Sequence, residues 1–129
     1  MSGFSNYSAT QFLGYVKGSA PATAPTAVYC SLHNGDPGDD GTGGTEVTTT
    51  ISSGNRIAIT FGAVTAKAIA NSATVDFGTA AAAGTVDYFG VWDAATGGNF
   101  IGGAALATAR TVAIGNPISF DVGALTVGL

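Results

Sequence analysis

The stretch "TAVYCSLH", residues 26–33, decides the fold because its apolar side chains recur at every second position. One face carries Val28, Cys30 and Leu32, and the other carries Tyr29, Ser31 and His33. A period of two is typical of a β-strand with one face against a core. The stretch therefore predicts a strand at the start of a β-rich body.

The same alternation returns in "NRIAITF" (55–61), "SATVDF" (72–77), "PISFDV" (117–122) and "ALTVGL" (124–129). Their expected core side chains are Ile57, Ile59, Phe61, Ala73, Val75, Phe77, Ile118, Phe120, Val122, Leu125, Val127 and Leu129. "TVDYFGVWD" (85–93) is more continuously apolar and predicts a central strand, while Pro117 should begin its strand or lie on an edge. The glycines that follow Phe61, Phe77 and Phe89 predict bulges or bends. Short strands with Gly, Asn and Asp between them predict a mainly β fold, an antiparallel β-sandwich or jelly-roll-like domain.

A short helix is expected before these strands. Ser8 and Gln11 fit a capping box, with Tyr7 and Phe12 at the positions of a hydrophobic staple, and Gly18 fits the helix end. Phe12, Leu13 and Val16 share one face of a helix of about three turns or fewer, which is marginal alone. This face is therefore expected to dock on the protein's own body or on a neighbour.

The linker "GSAPATAPT" (18–26) follows, and its prolines predict an extended arm. The chain should accordingly divide into a helix and arm, residues 1–25, and a β-sandwich domain, residues 26–129.

Charge excludes several functions. Only 9% of the residues are charged, and the four basic residues, Lys17, Arg56, Lys67 and Arg110, are scattered singly. Nucleic-acid binding needs a basic patch, and a membrane span needs a long uninterrupted apolar run, so neither partner is expected. Cys30 is the only cysteine, which excludes an internal disulfide and fits assembly in a reducing cytoplasm. A surface of low charge tolerates close packing between copies.

The acidic stretch "HNGDPGDDGTGGTE", residues 33–46, is the best metal candidate. Counted from Asp36 it fails the EF-hand pattern, because position 3 is Gly38 and Glu46 falls at position 11. Weak Ca²⁺ binding by Asp36, Asp39 and Asp40 remains an alternative to a solvated hairpin connection.

Catalysis finds no support in the sequence, and no cofactor is expected. Cys30 and His33 lie on opposite faces of one strand, so they cannot form a nucleophilic pair. We expect Cys30 in the core and His33 at an exposed strand end. Asp87 and Asp93 on one strand would lie about 20 Å apart, too far for glycoside hydrolysis.

Five blocks carry a family resemblance: "APTAVYCSLHNGDPGDDGTGGTEVT", "RIAITFGA", "IANSATVDF", "YFGVWDAATGGN" and "GNPISFDVGALTVGL". The sequence resembles short tailed-phage virion proteins, usually labelled tail fibre proteins, and similar small β-proteins serve as head decoration or cement proteins. The resemblance implies a virion structural protein without catalytic residues, and it implies that the acidic stretch is a connection loop. Asn55 departs from the pattern, which usually has an aromatic residue just before the arginine.

Two functions follow from the resemblance. The first is a capsid decoration or cement protein that binds the major capsid protein and copies of itself, as a dimer or trimer, on the outside of the head. Its expected contact residues are Tyr7, Phe12, Leu13, Pro21 and Pro25. The alternative is a tail fibre or tail adaptor that contacts tail proteins or a host surface glycan.

The loops 34–46 and 93–99 are the expected receptor loops of that alternative, through Asn34, Asp36, Asp93 and Asn99. Tyr29, Tyr88 and Trp92 could stack on a sugar, although core packing is the favoured role for them.

Overall fold

The computed structural model describes residues 3–19 and 23–128, and it is mainly β, with 45% strand and 9% helix. In chain order the elements are β1 (Gly3–Phe4), α1 (Asn6–Val16), β2 (Val28–Asn34), β3 (Thr45–Glu46), β4 (Ile57–Ile59), β5 (Ala68–Ala70), β6 (Val75–Thr79), β7 (Gly84–Trp92), β8 (Phe100–Val112), β9 (Pro117–Phe120) and β10 (Thr126–Gly128).

All the strand pairs described are antiparallel. The main sheet has the order β1-β8-β7-β2-β3, and β4 also pairs with β2. Two small sheets, β5 with β10 and β6 with β9, complete the arrangement. The architecture is sandwich-like, which confirms the fold class expected from the sequence. The division into residues 1–25 and 26–129 stays a prediction, although β1 pairs with β8 in the main sheet.

β7 lies at the centre of the main sheet, as its continuous apolar run predicted. It pairs with β2, where Cys30 stands opposite Val91, and with β8, where Gly90 stands opposite Gly103. Trp92 ends the strand before the turn 93–99. Because both neighbours of β7 are strands of the same sheet, its backbone hydrogen bonds are made on both edges.

The core forms between the main sheet and the two small ones. Most of the expected inward positions are buried: Cys30, Leu32, Ile59, Val75, Phe77, Ile118, Phe120, Leu125 and Val127. Two expectations are wrong, because Ala73 lies before β6 begins and Val122 lies after β9 ends, and both side chains are exposed. Pro117 does begin β9. Leu129 lies outside the described residues.

Of the Phe-Gly positions, one is a bulge. The pairing of β6 with β9 shifts register between Asp76 and Thr79, and Gly78 there has a φ of +79°. Gly90 instead keeps its register opposite Gly103, so it marks a close approach and not a bulge. The sequence pattern does not predict β8, which is 13 residues long, because "FIGGAALATARTV" has no sustained alternation of large apolar side chains.

Candidate functional site

The N-terminus of α1 is fixed to the body by two serines. Ser5 is the N-cap, since its hydroxyl oxygen accepts a hydrogen bond from the Ser8 N–H at 3.1 Å. The buried Ser5 hydroxyl donates to the Phe100 carbonyl, and the Ser8 hydroxyl donates to the Ile101 carbonyl at 2.6 Å. The expected cap at Ser8 is therefore wrong by one turn, because Ser5 reaches both the helix and the first residues of β8. With the N-cap at Ser5, Tyr7 and Phe12 no longer stand at the two positions of a hydrophobic staple.

The other end of α1 is as expected. Lys17 is the C-cap, and Gly18 follows in the left-handed region with a φ of +90°. The Gly18 N–H donates to the Tyr15 carbonyl at 3.1 Å, which closes the last turn. The helix therefore ends after about three turns. Its second half lies beyond Ser5 and Ser8, the two residues that bond it to β8.

The apolar side of α1 points away from the body. Phe12, Leu13, Tyr15 and Val16, which we call the α1 face, are 61–66% exposed. At about 100° per residue they cover an arc of roughly 160°. The half-buried side opposite carries Tyr7, Gln11 and Gly14.

Residues 3–19 and 23–128 leave the α1 face uncovered, and the residues Asn6–Val16 include no charged side chain. Among the expected contact residues, Phe12, Leu13 and Pro25 are exposed, Tyr7 is half-buried, and Pro21 lies outside the described residues.

The carboxylates of the acidic loop hold the loop together. Asp36 accepts the Gly38 N–H at 2.8 Å, and Asp40 accepts the N–H and the hydroxyl of Thr42 at 3.0 and 2.7 Å. The Thr42 hydroxyl and N–H lower the pKa of the Asp40 carboxyl. Asn6 donates its N–H to the Asp39 carbonyl at 2.8 Å, which ties the loop to α1. In residues 3–19 and 23–128 no three acidic, His or Cys side chains are placed to hold a metal ion.

The turn 93–99 is closed in the same way. Asp93 accepts the Asn99 N–H at 2.7 Å and the Asn99 side-chain amide at 2.9 Å, and these two bonds lower the pKa of Asp93. A groove of about 200 Å³ separates this turn from the acidic loop. Asp39 and Asp40 of the acidic loop line this groove. Of the four expected receptor residues, Asn99 lines the groove, whereas Asn34, Asp36 and Asp93 lie outside it.

Arg56 joins three parts of the chain, a role that no local sequence pattern indicates. Its guanidinium forms two bonds to the Glu46 carboxylate, at 2.9 and 3.1 Å. Its Nη1 donates to the carbonyls of Ala94 and Gly97 at 3.0 and 2.7 Å. The guanidinium carbon also lies 3.6 Å from the centroid of the Trp92 ring. The guanidinium of Arg56 therefore covers one face of the Trp92 ring. Trp92 is buried, which agrees with the packing role favoured for this side chain.

His33 is fully buried, so the expectation of an exposed strand end is wrong. It stands opposite Glu46 of β3, the strand paired with β2 in the main sheet. Its Nε2 lies 2.7 Å from the Ser31 hydroxyl, which also accepts the Trp92 indole N–H at 2.8 Å. Its Nδ1 has no partner among the described residues. Burial lowers the pKa of His33, and this outweighs the opposite effect of nearby Glu46.

Cys30 is a core residue, as expected. It is fully buried, and burial raises the pKa of its thiol. Its sulfur donates only a weak bond to the Ser31 carbonyl at 3.6 Å, on the opposite strand face from the His33 ring. The residue therefore packs as a small apolar side chain.

We expect the fold to lose stability as the pH falls from 7 to 5.5. The folded pKa of His33 is lowered, so the unfolded chain takes up the proton first, below the ordinary histidine value of about 6.5. For this one group, the free energy of unfolding then falls by at most about 1.4 kcal/mol per pH unit. Urea unfolding at each pH measures it, with H33Q as the comparison. An equal pH slope in H33Q would contradict the assignment to His33.

These features define a small, mainly β protein whose hydrogen-bonded loops are closed and whose α1 face is open for contact. The chain belongs to the family of podophage GP4 fiber I protein gp80, whose family model matches residues 3–128. It is a tailed-phage virion structural protein, which confirms the resemblance found in the sequence. No curated protein matches the chain. Within the described part, no helix is long and apolar enough to cross a membrane.

Proposed function

We propose that the chain is a non-enzymatic subunit of a fibre or tail structure of the phage particle, held there through the α1 face. The observation that carries this proposal is the orientation of α1, which leaves the four large hydrophobic residues of the α1 face exposed. The printed description of the family, a fiber protein, supports the fibre setting. The loops 34–46 and 93–99 then remain candidates for contact with the host surface.

The size of the α1 face supports a role in attachment. Four such side chains at this exposure present roughly 500 Å² of surface. The largest apolar patch of an ordinary monomer is about 300–600 Å² and is often functional. Burying this patch would contribute roughly 10 kcal/mol before the entropy of association is subtracted. Attachment through this surface is therefore favourable but needs neighbouring contacts to be tight.

Head decoration is the second candidate. A 12.6 kDa sandwich with 9% charged residues suits dense packing on a shell, where the major capsid protein would be the partner. In the described residues the only helix has 11 residues, too short for the shaft of a fibre. Copy number separates the two settings: a few copies that purify with tails support the fibre, and copies in simple ratio to the coat protein support decoration.

Phage carrying F12S/L13S should incorporate the protein at least tenfold less than wild type, because two of the four apolar side chains of the α1 face are lost. I114S is the matched control, since Ile114 is 74% exposed and lies outside α1. Quantitative mass spectrometry of purified particles, separated into heads and tails, gives both the incorporation and the location. Circular dichroism of the isolated variants checks folding. Normal incorporation of a folded F12S/L13S chain would refute the role of the α1 face.

A further inference from the structure

We propose that the groove between the acidic loop and the turn 93–99, which we call the loop groove, binds one neutral pyranose sugar of a glycan on the host surface. The inference rests on the proposed function, which leaves these two loops as candidates for contact with the host. It adds the position of the site and the chemical class of its ligand.

The floor of the loop groove is apolar. Trp92 and Phe100 line it, and both rings are buried, with their centroids 5.0 Å apart. The indole N–H of Trp92 is already bonded to the Ser31 hydroxyl at 2.8 Å. The floor therefore offers carbon surface to a ligand and no further donor.

The rim of the loop groove is polar. It carries four exposed side chains, two carboxylates and two amides: Asp39, Asp40, Asn6 and Asn99. The carboxylates accept hydrogen bonds, and the amides both donate and accept them. Tyr7 adds a half-buried aromatic ring to the same groove. A pyranose, with C–H groups on its faces and hydroxyls around its edge, matches an apolar floor below a polar rim.

The volume of the loop groove fits a single sugar ring. It measures about 200 Å³. An apolar protein cavity of roughly 150 Å³ is enough for a benzene ring, which has the same number of ring atoms as a pyranose. The remaining volume admits the hydroxyls, which extend towards the rim. The groove therefore holds one sugar of a chain and leaves its neighbours in solvent.

The charge of the loop groove selects a neutral ligand. Of the described residues that line it, Asp39 and Asp40 are acidic and none is basic. Two carboxylates without a cation repel a phosphate, a sulfate or a uronic acid. The hydroxyls of a neutral sugar instead donate to these carboxylates, and hydrogen bonds to an ionised acceptor are the stronger ones.

The walls of the loop groove are held in place before a ligand arrives. The backbone of Gly41 lies on the floor rings, because a Cβ atom there would overlap Trp92 at 2.7 Å and Phe100 at 2.8 Å. Side-chain hydrogen bonds also close both loops, from Asp40 to Thr42 and within the turn 93–99. A ligand that enters such a groove has little chain to order, so less binding energy is lost.

The test is a nuclear magnetic resonance titration of the isotope-labelled full chain with neutral methyl glycosides of glucose, galactose, rhamnose and N-acetylglucosamine. At least one should bind with a Kd of about 1–50 mM and shift the Asn99 signals. Methyl glucuronide, which is anionic, should bind at least about tenfold more weakly than that glycoside.

Two variants locate the sugar. D39A and Y7A should each weaken binding by roughly fivefold or more, because one removes a charged acceptor and the other an aromatic ring. D121A is the matched control for D39A and should bind as wild type does. Asp39 and Asp121 are both exposed, and each accepts a hydrogen bond through its backbone carbonyl, but Asp121 does not line the groove. The amide spectra of the variants check that they are folded.

Each other outcome overturns the inference. Absence of shifts with all four neutral glycosides refutes it, and binding that D39A and Y7A leave unchanged places the sugar elsewhere. A glucuronide that binds as tightly as the neutral sugars refutes the selection by charge. Phage carrying D39A should incorporate the protein as wild type does, because Asp39 lies outside the α1 face. If no sugar binds while F12S/L13S is lost from particles, the proposed function stands without the sugar site.

Discussion

Replacement of Gly103 by alanine is expected to destabilise the fold by about 3 kcal/mol or more. Gly103 is buried in β8 opposite Gly90 of β7. A Cβ atom there would overlap the Phe89 carbonyl oxygen and approach the Gly90 Cα to 3.2 Å. Both are backbone atoms at the centre of the main sheet, so no side-chain rotation relieves the overlap.

G62A is the matched control for this prediction. A Cβ at Gly62 meets its nearest atoms at 3.7 Å, an ordinary van der Waals distance, and its stability should change by less than about 0.5 kcal/mol. Urea unfolding midpoints of both variants provide the comparison. A G103A protein as stable as G62A would mean that β7 and β8 separate more easily than their pairing implies.

The strands with strict alternation could be predicted from the sequence, because each buries one face. In "SATVDF" and "PISFDV", Val75, Phe77, Ile118 and Phe120 lie in the core as the period of two requires. The errors fall at the ends of these stretches, at Ala73 and Val122. Periodicity gives the face of a side chain but not the residue at which pairing stops.

β8 could not be predicted in this way. Gly103 of β8 faces Gly90 of β7 at a place where a Cβ atom would overlap the Phe89 carbonyl oxygen, so the chemical signal there is the absence of a side chain. The N-cap shows a related limit, because Ser5 and Ser8 both fit the first turn. Both serines also bond to carbonyls of β8, more than 90 positions away in sequence, and the Ser5 hydroxyl is the one that accepts an N–H of the first turn.

The polar side chains inside the protein were the least predictable. Asn71 is buried, and its side chain makes three hydrogen bonds, to the carbonyls of Ala73 and Asp121 and from the Leu125 N–H. His33 is buried, and its Nε2 contacts the Ser31 hydroxyl that also accepts the indole N–H of Trp92. Both cases depend on segments far apart in sequence, and a local pattern carries no information about them.

Replacement of Arg56 by alanine is expected to lower the free energy of unfolding by about 3 kcal/mol, which is the lower end of the range for breaking a buried ion pair. The Arg56 side chain is only 8% exposed, whereas Glu46 keeps 28%, so solvent compensates part of the loss at Glu46. Without the guanidinium the carbonyls of Ala94 and Gly97 lose their donor, and one face of Trp92 is uncovered. The loss should therefore loosen the turn 93–99 as well.

The R56K variant separates the charge of Arg56 from the shape of its guanidinium group. It should still lower the free energy of unfolding by about 2 kcal/mol. A lysine keeps the positive charge, but its compact ammonium group cannot bind Glu46 at two points, reach both carbonyls and stack on Trp92 at once. K17A, which removes an exposed basic residue at the end of α1, should change stability by less than about 0.5 kcal/mol. Urea unfolding measures all three variants, and hydrogen exchange of residues 94–99 reports on the turn. If R56K were as stable as wild type, the charge of Arg56 alone would account for its role, and the planar fork would contribute nothing.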